Sequence, residues 1–128
     1  MLEIGIKGRQ DITVNDDNTA KALGSGELNV LATPAMIALI EETAWKSVAP
    51  SLEDGQGTVG TKLDVAHIAP SPVGIDVWCE TELVEIDRRR LVFNVNVYDS
   101  KGKIGEGTHE RFIINNEKFQ SKADSKLD

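Results

Sequence analysis

Apolar residues alternate with polar ones along most of this chain, and in one stretch they recur at helical spacing instead. Ile4, Ile6, Ile12 and Val14 keep a period-two register, which predicts a strand over Ile4 to Val14. Asn15 to Thr19 follows as a polar turn, and Leu23 to Leu31 reads as a loop around Gly24, Ser25 and Gly26. From Thr33 to about Val48 the period changes. At about 100° per residue, Met36, Ile37, Ile40, Ala44 and Val48 fall on one broad stripe. Thr33 is a good N-cap, and Pro34 fits the first helical position because its missing N–H would go unbonded there. The helix is expected to end before Pro50, with Glu42 and Lys46 paired at i,i+4 on its wet face.

Four longer strands follow. Val59, Leu63 and Val65 alternate with Lys62 and Asp64; Ile75, Val77, Cys79 and Leu83 alternate with Asp76, Glu80 and Glu82. Leu91, Phe93, Val95 and Val97 alternate with Asn94 and Asn96, and Ile104 to Ile114 closes the series. The connectors Pro70–Gly74, Asp87–Arg89 and Asp99–Gly102 carry turn chemistry, two of them short enough for hairpins. Strand, helix, then four strands predicts an α+β fold: an antiparallel sheet of about five strands wrapped around one central helix, the hotdog architecture. Such a sheet leaves the helix half covered, so dimerisation is the natural way to complete the burial. Residues 1–114 form this one domain. Residues 115–128 are polar and mixed in charge, with only Phe119 and Leu127 to anchor them; they read as a frayed tail, the alternative being a short docked helix.

Composition narrows the class. The chain has 128 residues, 40% hydrophobic and 27% charged, which is ordinary for a globular protein able to fold without disulfides or metal. A formal net charge of -7 argues against a general affinity for nucleic acid, yet a local cationic patch can still hold a small anion. No apolar run is long enough to cross a bilayer, so no membrane partner is expected. Met1 to Gln10 has no long apolar stretch after its charges, so no secretory signal is expected, and with a single cysteine, Cys79, the expected compartment is the cytoplasm.

Several residues break the packing pattern. Glu41 falls at the border of the apolar stripe: either a carboxylate reaching past the core edge into water, or a partly desolvated one poised as base or nucleophile. His67 continues the register of Val65 and points inward, as a hydrogen-bonded core residue or as a proton-transfer group. Thr33 caps the helix or, with the N–H donors of that terminus, polarises a carbonyl. Gly60 marks a bulge or a place where a ligand approaches the backbone; Gly105 and Gly107 are read as structural. His109 and Arg111 share one face of the last strand, as a polar interface or a ligand contact. No spacing of His or Cys fits a metal site, and there is no P-loop or Rossmann unit.

Leu31-Ala32-Thr33-Pro34-Ala35, Glu41-Glu42, Val59-Gly60-Thr61, His67-Ile68-Ala69-Pro70 and Gly105-Glu106-Gly107-Thr108-His109-Glu110-Arg111 together resemble the fluoroacetyl-CoA thioesterase family of hotdog proteins, over about Leu23 to Ile114. The resemblance implies an acyl-CoA thioesterase with a catalytic threonine, glutamate and histidine, matching Thr33, Glu41 and His67. It also implies a glycine near the thioester, matching Gly60. The founding enzyme closes its pocket with bulky aromatics upstream of the Ala-Thr-Pro motif, whereas this chain has Gly24-Ser25-Gly26-Glu27-Leu28 there. A different short acyl chain, or broad selectivity, is therefore expected.

The spacing from Thr33 to Glu41 adds a constraint, because eight residues of helix rise about 12 Å. Two antiparallel copies of the helix would bring Thr33 of one protomer near Glu41 of the other, so a composite site at a two-fold interface is expected, in a homodimer or a dimer of dimers. No cofactor is expected, coenzyme A being part of the substrate. Arg88, Arg89, Arg90, Lys101, Lys103 and Arg111 are candidates to meet its phosphates, with Arg111 counted among the substrate-binding residues. The competing readings are a hotdog hydroxyacyl-thioester dehydratase and a non-catalytic acyl-CoA binding or sensing module.

Overall fold

Pro34 in the first turn and the apolar stripe behind it give a helix, α2, that runs Thr33–Val48 in a computed structural model describing residues 1–128. Its buried face is Met36, Leu39, Ile40, Thr43, Ala44 and Val48. Ile37 lies at the edge of that face, half-buried, while Leu39 and Thr43 complete it. Thr43 satisfies its buried hydroxyl by donating to the Leu39 carbonyl one turn back, at 2.7 Å. Glu42 and Lys46 pair at 3.4 Å on the outer face, as the i,i+4 spacing requires.

Around α2 wraps one antiparallel sheet. Its strands are β1 (Lys7–Thr13), β2 (Gln56–His67), β3 (Asp76–Asp87), β4 (Arg90–Asp99) and β5 (Gly102–Asn115), in the spatial order β1-β3-β4-β5-β2. Val77, Cys79, Leu83, Leu91, Phe93, Val95, Val97 and Ile104 are buried against the helix, in the alternation read from β3 and β4. Burial in that core pushes the Cys79 thiol up to about 12, so it behaves as a small hydrophobe.

The first strand is shorter than its pattern. Ile4 and Ile6 precede β1, and Leu83 is tied by backbone hydrogen bonds to Gly5 and Ile6 rather than to a regular ladder. Between the polar turn and the expected Gly-rich loop lies one turn of helix, α1 (Ala20–Leu23), which Thr19 caps by accepting from the Ala22 N–H. The tail also departs from a frayed segment. Asn116–Asp124 form α3, N-capped by the Asn115 side chain, though none of its residues is buried.

Strand β2 carries the departure with the most consequence. Its pairing with β5 skips a residue, from Gly60↔Arg111 directly to Lys62↔Glu110, so Thr61 is an extra residue that reverses the in–out parity. Beyond the bulge Leu63, Val65 and His67 face inward, as the alternation predicts. Before it the inward positions are Thr58 and Gly60, while Val59 pairs with Phe112, which is exposed. Val59 therefore does not share the face of Leu63, because one inserted residue moves every side chain upstream to the other side of the sheet.

Candidate active site

Two clusters of polar side chains lie along the seam between α2 and the β2–β5 pair. The first sits where α2 begins and β2 ends. Thr33 Oγ1 is 2.8 Å from His67 Nδ1. Thr33 is the first helical residue and Ala32 occupies the N-cap position, so no side chain caps α2. The expected capping role is corrected: a residue already inside the helix cannot turn its hydroxyl back to the first N–H groups, and this one reaches the imidazole instead.

Burial holds the His67 pKa below the ordinary histidine value of 6.5, with the Ala69 backbone working against it. His67 Nε2 is buried and has no hydrogen-bond partner. Either tautomer leaves that nitrogen free. It is a donor when Thr33 donates to Nδ1, and an acceptor when Thr33 accepts from it. A cavity of about 300 Å³ opens at this pair, walled by Val30, Leu31, Ile68, Ala69 and Pro70. No aromatic ring lines it. The segment that would carry one is Gly24 to Leu28, where Leu28 is exposed.

The second cluster lies two turns along α2. Glu41 Oε2 is 3.5 Å from Arg111 Nη1, with the arginine side chain 6% exposed and the glutamate 40%. Both face Gly60. A Cβ built there would lie 2.5 Å from Glu41 Oε2, 3.2 Å from His109 Cε1 and 3.3 Å from Arg111 Nη1, so only glycine leaves the three groups their present places. The bulge at Thr61 creates this arrangement by turning Gly60 inward opposite Arg111. The structural reading of Gly105 also rests on close approach, since its Cβ would lie 2.7 Å from Met36 Sδ. At Gly107 a Cβ would collide with the Asp64 carbonyl.

Arg111 is fixed on several sides. Its Nε donates to Thr58 Oγ1 at 2.8 Å, its Nη2 to the Thr58 carbonyl at 2.9 Å, and its Nη1 lies 3.1 Å from His109 Nε2. Thr58 escaped the sequence reading because Val59 carried the apparent inward register; only the bulge exposes it. His109 was visible as a polar residue on the Arg111 face, but the strand pattern could not show that the face is buried.

No hydrogen bond or ion pair joins Glu41 to Thr33 or His67 within the chain. The eight helical steps from Thr33 to Glu41 rise about 12 Å, so the two clusters stand apart along the same helix. The turn cations are partly committed elsewhere: Arg90 bridges Glu85 at 2.6 Å and Glu110 at 2.8 Å, and Lys103 pairs with Glu106 at 3.0 Å. Arg88, Arg89 and Lys101 make no ion pair.

Comparison with known proteins gives a consistent result. The family model for fluoroacetyl-CoA-specific thioesterase matches residues 14–117. The fluoroacetyl-CoA thioesterase of Streptantibioticus cattleyicolor is 41% identical over 97 residues, 76% of this chain and 70% of that protein. A solved structure of the fluoroacetyl-CoA thioesterase FlK superposes with a TM-score of 0.92 at 34% identity, over 98% of both chains. A thioesterase-superfamily protein of Thermus thermophilus shares the fold, with a TM-score of 0.89 at 23% identity over 98% of this chain and 93% of that one.

Proposed function

The chain belongs to the fluoroacetyl-CoA-specific thioesterase family and is a thioester hydrolase of acyl-CoA; we propose that it cleaves a short-chain acyl-CoA at a Thr33/Glu41/His67 site shared between two protomers. The observation that carries this reading is the 2.8 Å contact between Thr33 Oγ1 and His67 Nδ1 at the mouth of a small apolar cavity. It supplies a hydroxyl donor and a proton-transfer group beside a space suited to a short acyl chain.

The carboxylate comes from the partner. Antiparallel packing of two α2 helices would set Glu41 of the partner subunit against Thr33, twice per homodimer. Thr33 and the N–H groups of the helix terminus hold the carbonyl oxygen as it gains negative charge. Glu41 takes a proton from water, hydroxide adds to the carbonyl carbon, and the C–S bond breaks as the carbonyl re-forms. The departing thiolate takes a proton relayed through His67, giving free acid and coenzyme A. In the alternative route the carboxylate itself adds to the carbonyl carbon, the C–S bond breaks to expel the thiolate, which is protonated as before, and water opens the resulting anhydride to free the acid and restore Glu41.

Gly60 and Arg111 line the Glu41 end, where the acyl thioester would approach. The lack of an aromatic ring between Gly24 and Leu28 supports a short acyl group without selectivity for fluorine. A cytoplasmic location belongs to the same proposal.

The test is thiol release from a panel of short acyl-CoAs by the wild type, Glu41→Ala and His67→Ala. Turnover lost in both variants is the expected result. Turnover surviving in both removes the site assignment, and saturable binding without hydrolysis by the wild type favours a sensing module. Single turnover in oxygen-18 water separates the two glutamate routes: label entering Glu41 establishes the anhydride.

A further inference from the structure

His109 is a fully buried ionisable side chain that the reaction above does not use. It lies on β5, and its ring stacks against Phe93 of β4 at 6.3 Å between centroids. Its Nδ1 lies 2.8 Å from the Lys62 carbonyl of β2. A carbonyl oxygen can only accept, so Nδ1 carries the proton. In the neutral ring Nε2 is then a bare lone pair, and it faces Arg111 Nη1 at 3.1 Å, a group that can only donate. Both ring nitrogens are thus assigned by their partners alone.

The consequence falls on Arg111. With Thr58 holding Nε and Nη2, and His109 holding Nη1, the guanidinium cannot rotate, and the Nη1 edge stays turned toward Glu41 and the opening beside Gly60. We propose that His109 is a positioning residue whose neutral Nδ1–H tautomer locks the Arg111 guanidinium toward Glu41 and the acyl thioester. This rests on the reading of the Glu41–Gly60–Arg111 end as substrate-facing, and deepens it by naming what holds that end in place.

The same geometry makes the lock sensitive to protons. A second proton on Nε2 removes the acceptor and sets a cation against the Arg111 cation in a dry site. The charged groups facing His109 are Arg111 and Glu110 from its own strand and Glu41 from α2, with the Lys62 carbonyl on β2; Phe93 on β4 brings none. Burial first, and Arg111 after it, hold the ring neutral, against the opposing pull of the Lys62 carbonyl, Glu41 and Glu110. Acidification therefore unlocks Arg111.

The experiment pairs nitrogen-15 NMR of the intact protein with steady-state kinetics against pH, for the wild type, His109→Gln, His109→Leu and Arg111→Gln. A glutamine oxygen can accept from Nη1 and does not titrate; leucine cannot accept. In the wild type the His109 shifts should report the Nδ1–H tautomer, with a slowly exchanging Arg111 Nε–H that is lost as the ring protonates. KM should rise about tenfold at acid pH, the worth of one charge-assisted hydrogen bond. His109→Gln should keep the slow Arg111 signal and lose the acid rise in KM. His109→Leu should show the raised KM at every pH. An Nε2–H tautomer, or an Arg111 signal indifferent to the His109 state in the wild type, overturns the proposal even if the leucine variant does not fold. So does wild-type KM behaviour in His109→Leu while Arg111→Gln is impaired. Failure of the underlying reading looks different: the wild type releases no thiol, or Arg111→Gln hydrolyses normally.

Discussion

Gly60 and Glu41 are in such close approach that a methyl group on the glycine would stand 2.5 Å from Oε2 of the carboxylate. The obstacle is the free end of a flexible side chain, so the carboxylate yields and the backbone does not. Gly60→Ala is expected to fold with a thermal midpoint within a few degrees of wild type. Its kcat/KM should fall on the order of 10²-fold, the scale of a 1 Å misplacement of a reacting group. Calorimetry and thiol release check both halves. An active Gly60→Ala enzyme would mean that the Glu41 carboxylate can act from elsewhere.

Thr33 provides a sharper separation of fold from chemistry. An N-cap threonine lost to alanine costs about 1 kcal/mol. Thr33 is exposed, lies inside the helix and caps nothing, so Thr33→Ala should lower stability by less than about 0.5 kcal/mol. Its kcat should nevertheless drop about 10²-fold, because His67 loses its Nδ1 partner and the carbonyl its hydroxyl donor. Denaturant titration beside kinetics decides it; a large stability loss with unchanged kcat would reinstate the cap.

Mixed dimers test the shared site. When Thr33→Ala and Glu41→Ala chains are unfolded together and reassociated at random, about half the dimers are hybrids. Each hybrid holds one site lacking both groups and one site with both intact. Activity should return to about a quarter of wild type, although each parent is inactive. If Thr33 and Glu41 serve the same site from one chain, every hybrid site lacks one of them and no activity returns.

Stability should follow the two histidines as the solution is acidified. Both have folded pKa values pushed below the ordinary 6.5 by burial. Between 6.5 and those lower values the unfolded chain binds more protons than the folded one, so unfolding is favoured as pH falls. The stabilisation is fully present above 6.5 and is lost progressively below it. The depressed carboxyls of Asp11 and Glu110 enter only at lower pH, beneath 3.8 and 4.5. Thermal midpoints should therefore decline from pH 7.5 to 5, less steeply in His109→Gln. A flat profile over that range would contradict burial of the neutral rings.

The residues of α2 show how far the sequence reaches. Its span, its wet Glu42–Lys46 pair and most of its buried face follow from a 3.6-residue period and a proline at each end, which are local facts. The inward sides of β3 and β4 follow equally from period-two alternation. Glu41, His67 and Gly60 stood out because each violates such a period. A violation marks a position but does not say what lies opposite it.

What lies opposite was decided by pairing between distant strands. Thr61 is one extra residue against β5, next to the Gly60 that the strand pattern marked as a bulge or a ligand approach without saying which. That single insertion turns Thr58 and Gly60 inward, gives Arg111 its clamp and brings the Glu41 carboxylate against a bare glycine. The sequence by itself determined α2, the five strands and the order in which they run, and it marked Thr33, Glu41 and His67 as candidates. The tertiary structure alone decided that Thr33 serves His67 rather than its own helix, and that His109 and Arg111 are core rather than rim. Periodicity is a property of neighbours along the chain, whereas the partners of a buried polar group are chosen by residues tens of positions away.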